Sequence, residues 1–72
     1  MAKARAVIGS ITSAMRARSV LEREVIRVDV VKITDSGDRR GCIYGIEFSD
    51  AQTENILRIL NRSRITVKRL IR

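Results

Sequence analysis

The sequence predicts one small α+β domain with the element order β-α-β-β-α-β, and three observations carry that expectation. Four short β-branched runs are separated by two amphipathic stretches of helical period. The second and third of the apolar runs are joined by a polar, glycine-containing loop and should form a hairpin. The length of 72 residues, with 44% apolar content, supports one hydrophobic core and not two. There is no proline, no segment that reads as a linker, and no internal repeat that stands out.

The run ARAVIG (Ala4–Gly9) is apolar, β-branched and closed by a glycine, and reads as the first strand. Ser10, Thr12 and Ser13 follow, and hydroxyl side chains of this kind cap the free N–H groups of a helix start. Ala14, Ala17, Leu21 and Val25 then recur at helical spacing, flanked by Met15 and Arg18, while Arg16, Ser19 and Arg23 occupy the other face. The spacing predicts an amphipathic helix of about three turns.

IRVDVVKI (Ile26–Ile33) predicts the second strand, and the polar, glycine-containing stretch Thr34–Gly41 a loop. CIYGIEF (Cys42–Phe48) predicts the third strand. Its period-two alternation puts Cys42, Tyr44, Ile46 and Phe48 on one face and Ile43, Gly45 and Glu47 on the other. Ser49-Asp50-Ala51-Gln52 has the form of a capping box. Ile56, Leu57 and Leu60, with Ile59 beside them, form the apolar face of a second helix that Asn61 and Ser63 bring to a stop. TVKRLI (Thr66–Ile71) predicts the fourth strand.

A hairpin between the second and third strands, with right-handed crossovers, gives a four-stranded antiparallel sheet of ferredoxin-like type with both helices on one face. In that arrangement the end of the first strand, the start of the first helix and the start of the third strand share one edge. Cys42 is then expected near the segment Gly9–Ser13.

Composition excludes several chemistries. With one cysteine and no histidine, the chain has neither a zinc ligand set nor a Cys–His or Ser–His pair. The most common proton carrier near neutral pH is absent as well. No metal or cofactor is expected, and the chain is not expected to be an enzyme in its own right. A lone cysteine, and no apolar run long enough for a signal peptide or a membrane span, point to a reducing, cytoplasmic setting without membrane association. The charge of +7, from 15 basic and 8 acidic residues, attracts polyanions and acidic partners without specifying either.

Cys42 is the residue with the most chemical potential. A thiol reacts as the thiolate, and its free pKa of ~8.5 falls beside positive charge. Arg39 and Arg40 precede it, Gly41 leaves its backbone uncrowded, and the start of the first helix supplies partial positive charge. Together they describe a site for a persulfide or another reversible thiol adduct. The alternative is a small buried hydrophobe sharing the parity of Tyr44, Ile46 and Phe48, with Arg39 and Arg40 as a solvated pair. Ser10, Thr12 and Ser13 are candidates for bonding to the adduct, or ordinary helix caps.

The segment AMRARSVLEREVIRVDVV (Ala14–Val31), the cysteine that opens CIYGIEF, and the tail NILRILNRSRITVKRLI (Asn55–Ile71) resemble the selenium/sulfur carrier-like domains, a small bacterial family. The similarity spans nearly the whole chain. Ile43 stands where that family has a glycine, and the family's prolines are absent. The resemblance implies sulfur or selenium held on Cys42, received from a donor such as a cysteine desulfurase and passed to an acceptor protein.

Two other readings remain open at this point. RNA recognition motifs share the element order, and Arg40-Gly41 with Tyr44 and Phe48 partly echoes their third-strand signature. That reading needs aromatic side chains on the open sheet face. The third reading is a protein-interaction or homodimerisation module that uses the open face, where Val31 and Ile43 are expected.

Overall fold

The computed structural model describes residues 2–33 and 43–72. Strand β1 is Lys3–Gly9, helix α1 Ile11–Arg23, strand β2 Asp29–Ile33 and strand β3 Ile43–Ser49. A 3-10 turn, Asp50–Gln52, leads into helix α2, Thr53–Arg62, and strand β4 is Arg69–Ile71. The strands form one antiparallel sheet in the order β2-β3-β1-β4. This is the expected ferredoxin-like α+β fold. The expected loop Thr34–Gly41 and Cys42 lie outside the described residues.

Alternation along the strands sets the core. Ala4, Ala6 and Ile8 of β1 and Ile46 and Phe48 of β3 turn one way, toward Ala14, Ala17 and Leu21 of α1 and Ile56, Ile59 and Leu60 of α2. All belong to one buried cluster, so both helices cover the same sheet face. Alanines at positions 4, 6, 14 and 17 let the helices sit close to the sheet, and their side chains have no solvent exposure at all. Tyr44 packs against the rim of this cluster.

The halves of the chain correspond, which the sequence did not disclose. Ala14, Ala17, Leu21 and Ile26 stand in the first half where Thr53, Ile56, Leu60 and Ile65 stand in the second, at a constant offset. Leu21 matches Leu60 and Ile26 matches Ile65 in kind, while the other two pairs, Ala14 with Thr53 and Ala17 with Ile56, share only their burial. The helix ends match as well. After α1, the Val25 N–H donates to the Glu22 carbonyl and the Ile26 N–H to that of Leu21, both at 3.0 Å. After α2, the Arg64 N–H donates to Asn61 at 3.1 Å and the Ile65 N–H to Leu60 at 2.9 Å. Each is a Schellman motif, with one residue in the left-handed region: Val25 at φ 59° and Arg64 at φ 62°.

This ending corrects the reading of Val25 as a core residue. The helix stops before it, the left-handed turn directs its side chain outward, and it is 92% exposed. Ile26 takes up the apolar contact in its place. Glycine is the favoured residue at this position, and a β-branched side chain there is strained. Val25→Gly is therefore expected to stabilise the domain by about 1 kcal/mol, after the entropy cost of glycine is deducted. A rise in thermal midpoint checks it.

Two strands are shorter than expected for the same reason. Ile26–Val28 and Thr66–Lys68 have strand-like composition, but they carry the chain from a helix end back to the sheet. The capping box is not formed. Ser49 makes no side-chain cap, and the 3-10 turn intervenes. Thr53 Oγ1 donates instead to the Asp50 carbonyl at 2.7 Å and to its carboxylate at 3.1 Å.

Candidate functional site

Two glycines shape the end of the sheet where the site is expected. The register of β1 against β3 shifts between Val7 and Gly9, and Gly9 comes to lie opposite Tyr44. Gly9 has φ +129°, which L side chains rarely adopt, and this marks a bulge. Gly45 pairs with Val7 on the neighbouring step. A Cβ at Gly45 would overlap the Ala6 carbonyl oxygen and stand 3.1 Å from the Ala6 carbonyl carbon. The two central strands approach closely only because residue 45 has no side chain.

The register thus brings the head of β3, Ile43 and Tyr44, alongside the end of β1 and the first turn of α1. There the Ser10 hydroxyl caps the helix, accepting from the Ser13 N–H at 3.2 Å and donating to Ser13 Oγ at 3.0 Å. Ser10 and Ser13 therefore bond to each other, and Thr12 is exposed. Cys42, Arg39, Arg40 and Gly41 lie outside the described residues. Of the expected site, then, the sheet edge and the helix start are brought together.

The sheet face away from the helices carries Lys3, Arg5, Val7, Val31, Ile33, Ile43, Glu47 and Ile71. Val7 and Ile33 are buried there, apart from the main core. Arg5 Nε donates to Glu47 Oε2 across the strands at 2.8 Å, and Lys3 lies 3.7 Å from the other oxygen. The bonded Arg5 guanidinium holds the Glu47 carboxyl below its usual range, with Lys3 adding to the effect. Phe48, 3% exposed, and the half-buried Tyr44 both belong to the helix side. They are the only aromatic residues of the chain, so none is presented on the open face for base stacking.

A group of cations at the same end of the domain was not singled out from the sequence. Ser13 and Arg16 of α1, Arg64 and Thr66 after α2, and Ile8 of β1 line a cavity of ≈ 210 Å³. Lys68 Nζ rests 3.3 Å from where a Cβ of Gly9 would stand. These residues are distant in sequence, and only the crossing of the two halves assembles them.

Among the described residues no group of acidic, cysteine or histidine side chains is arranged to hold a metal ion. Nor is any helix long and apolar enough to cross a membrane. Comparison with family models, with curated proteins and with solved structures gives no match.

Proposed function

We propose that the domain carries sulfur or selenium as a reversible adduct on Cys42, in a reducing compartment such as the cytoplasm, between a donor and an acceptor protein. The observation that carries this reading is the register of Gly9 opposite Tyr44. It sets the head of β3, the strand that follows Cys42 in the chain, beside the capped start of α1. The sequence adds Arg39, Arg40 and Gly41 immediately before the cysteine, and the resemblance of Ala14–Val31 and Cys42–Phe48 to carrier-like domains.

The chemistry needs no cofactor. The Cys42 thiolate attacks the terminal sulfur of a persulfide on the donor, such as a cysteine desulfurase. The donor's S–S bond breaks, and its cysteine leaves as a thiolate while Cys42 becomes the persulfide. An acceptor nucleophile then attacks that terminal sulfur and Cys42 leaves in turn. Electrons balance at each transfer, with no external oxidant or reductant. The basic residues before Cys42 favour the thiolate over the thiol.

Alkylation of Cys42 followed against pH by intact mass tests the first requirement. The expected result is rapid modification with an apparent pKa below the ~8.5 of a free thiol. Loading by a desulfurase and free cysteine should then add one sulfur atom to the wild-type chain and none to Cys42→Ser, with both chains folded. Slow modification with an ordinary or raised pKa, or a Cys42→Ser chain that still accepts sulfur, would sink the carrier reading.

A further inference from the structure

We propose that the cavity between α1 and the turn after α2 is an oxyanion site that takes a phosphate group of a nucleotide. Several cations elsewhere on the described surface are compensated, and Arg23, Arg27 and Arg58, which are not, line neither this cavity nor its neighbour. Lys3 and Arg5 pair with Glu47, Arg18 with Glu22, Arg62 with Glu24 and Arg72 with Asp50. Arg16, Arg64 and Lys68 have no acidic partner among the described residues, and no carboxylate lines the cavity that Arg16 and Arg64 share. Positive charge collected without a counter-charge around a concave surface raises the local concentration of anions. Two guanidinium groups suit a phosphate in particular, because each presents a planar fork of donors to its oxygens.

The lining supplies the remaining contacts. Ser13 and Thr66 bring hydroxyl groups to the lining, and the buried Ile8 and Ile65 complete it. At ≈ 210 Å³ the space is below the ~300–1,000 Å³ of pockets that enclose a whole ligand, so it holds one group of a larger molecule. A second cavity of ≈ 320 Å³ shares Arg64, Ile65 and Thr66 and continues along Leu57, Asn61 and Val67. Apolar walls with one amide suit the base and sugar attached to the phosphate. Arg64 stands between the two cavities and belongs to both.

The phosphate is either that of a mononucleotide or one in a single-stranded polynucleotide, and the two share this chemistry. The site requires neither Cys42 nor an aromatic side chain, and Ser13 is the one residue it shares with the carrier reading.

The backbone offers a clean variant. Arg64 occupies a left-handed position that glycine favours, so Arg64→Gly removes the guanidinium while keeping or raising the thermal midpoint. The ¹⁵N-labelled chain would be titrated with adenosine monophosphate and with a short single-stranded oligoadenylate at low salt. Expected are saturable amide shifts at Ser13, Arg16, Arg64 and Thr66 with at least one probe, weakened about tenfold or more in Arg64→Gly. Cys42→Ser should bind as the wild type does. Comparable affinities for the two probes assign a mononucleotide. A tighter oligomer, with an affinity that falls steeply with salt, assigns a strand. The proposal is overturned by the absence of saturable shifts with either probe. It is overturned equally if Arg64→Gly keeps its affinity, or if Arg23→Ala at the far end of α1 costs as much as Arg64→Gly.

Discussion

Phe48→Ala is expected to cost ~3–5 kcal/mol of stability. A domain of this size has about 4–11 kcal/mol in total, so the variant should lose a large share of its stability, and all of it where the total lies at the low end. The reason is position. Phe48 is 3% exposed, faces the helices from β3, and pairs across the sheet with fully buried Ala4, which cannot expand to fill the space. Chemical denaturation of Phe48→Ala and Phe48→Leu would check this, since leucine restores most of the volume and should cost under about 1.5 kcal/mol. Had the ring served to stack a base, alanine would instead leave the fold intact and remove only binding. A Phe48→Ala chain as stable as the wild type would mean that the core does not depend on this ring.

Gly45→Ala is the second large effect, and its sign is unusual. Replacing a strand glycine by alanine ordinarily gains up to about 1 kcal/mol through the unfolded state. Here the added methyl group would overlap the Ala6 carbonyl oxygen and crowd the Val7 Cα at 3.2 Å. Backbone cannot swing aside as a flexible side chain can, so the two central strands must part. We expect a net loss of about 2–3 kcal/mol. For a domain of this length that lowers the thermal midpoint by roughly 10–20 °C. An unchanged or higher midpoint would show that β1 and β3 can separate without loss.

Much of the fold was legible because burial here follows period. Ala14, Ala17 and Leu21 mark the buried stripe of α1, and Tyr44, Ile46 and Phe48 mark the helix side of β3 by simple alternation. What escaped was backbone conformation. Nothing in the apolar character of Val25 announces a left-handed φ, and Gly45 reads as a permissive residue when it is a steric requirement. Ile26–Val28 and Thr66–Lys68 look like strands because residues that dock on a core while crossing from helix to sheet have the same chemistry as strand residues. At the site, the meeting of the β3 head with the start of α1 follows from topology and was anticipated. The grouping of Arg16 with Arg64 and Thr66 was not. Their separation in the chain leaves no local signal, and exposed arginines on amphipathic helices ordinarily serve solvation.

The pairing of the strands has a consequence for how the molecule comes into being. β1 pairs with β3 and β4, and β2 with β3, so every ladder joins one half of the chain to the other. Neither β-α-β half contains a strand pair of its own. A nascent chain that has emerged only as far as β2 has no sheet to form, and its helix has no surface on which to dock. Order must therefore wait for late-made residues and then arrive for the whole domain together. Such a chain folds in one cooperative step, at a rate limited by closing distant segments rather than by winding helices. Until that moment its apolar stripes are open to chaperones, and to other copies of itself.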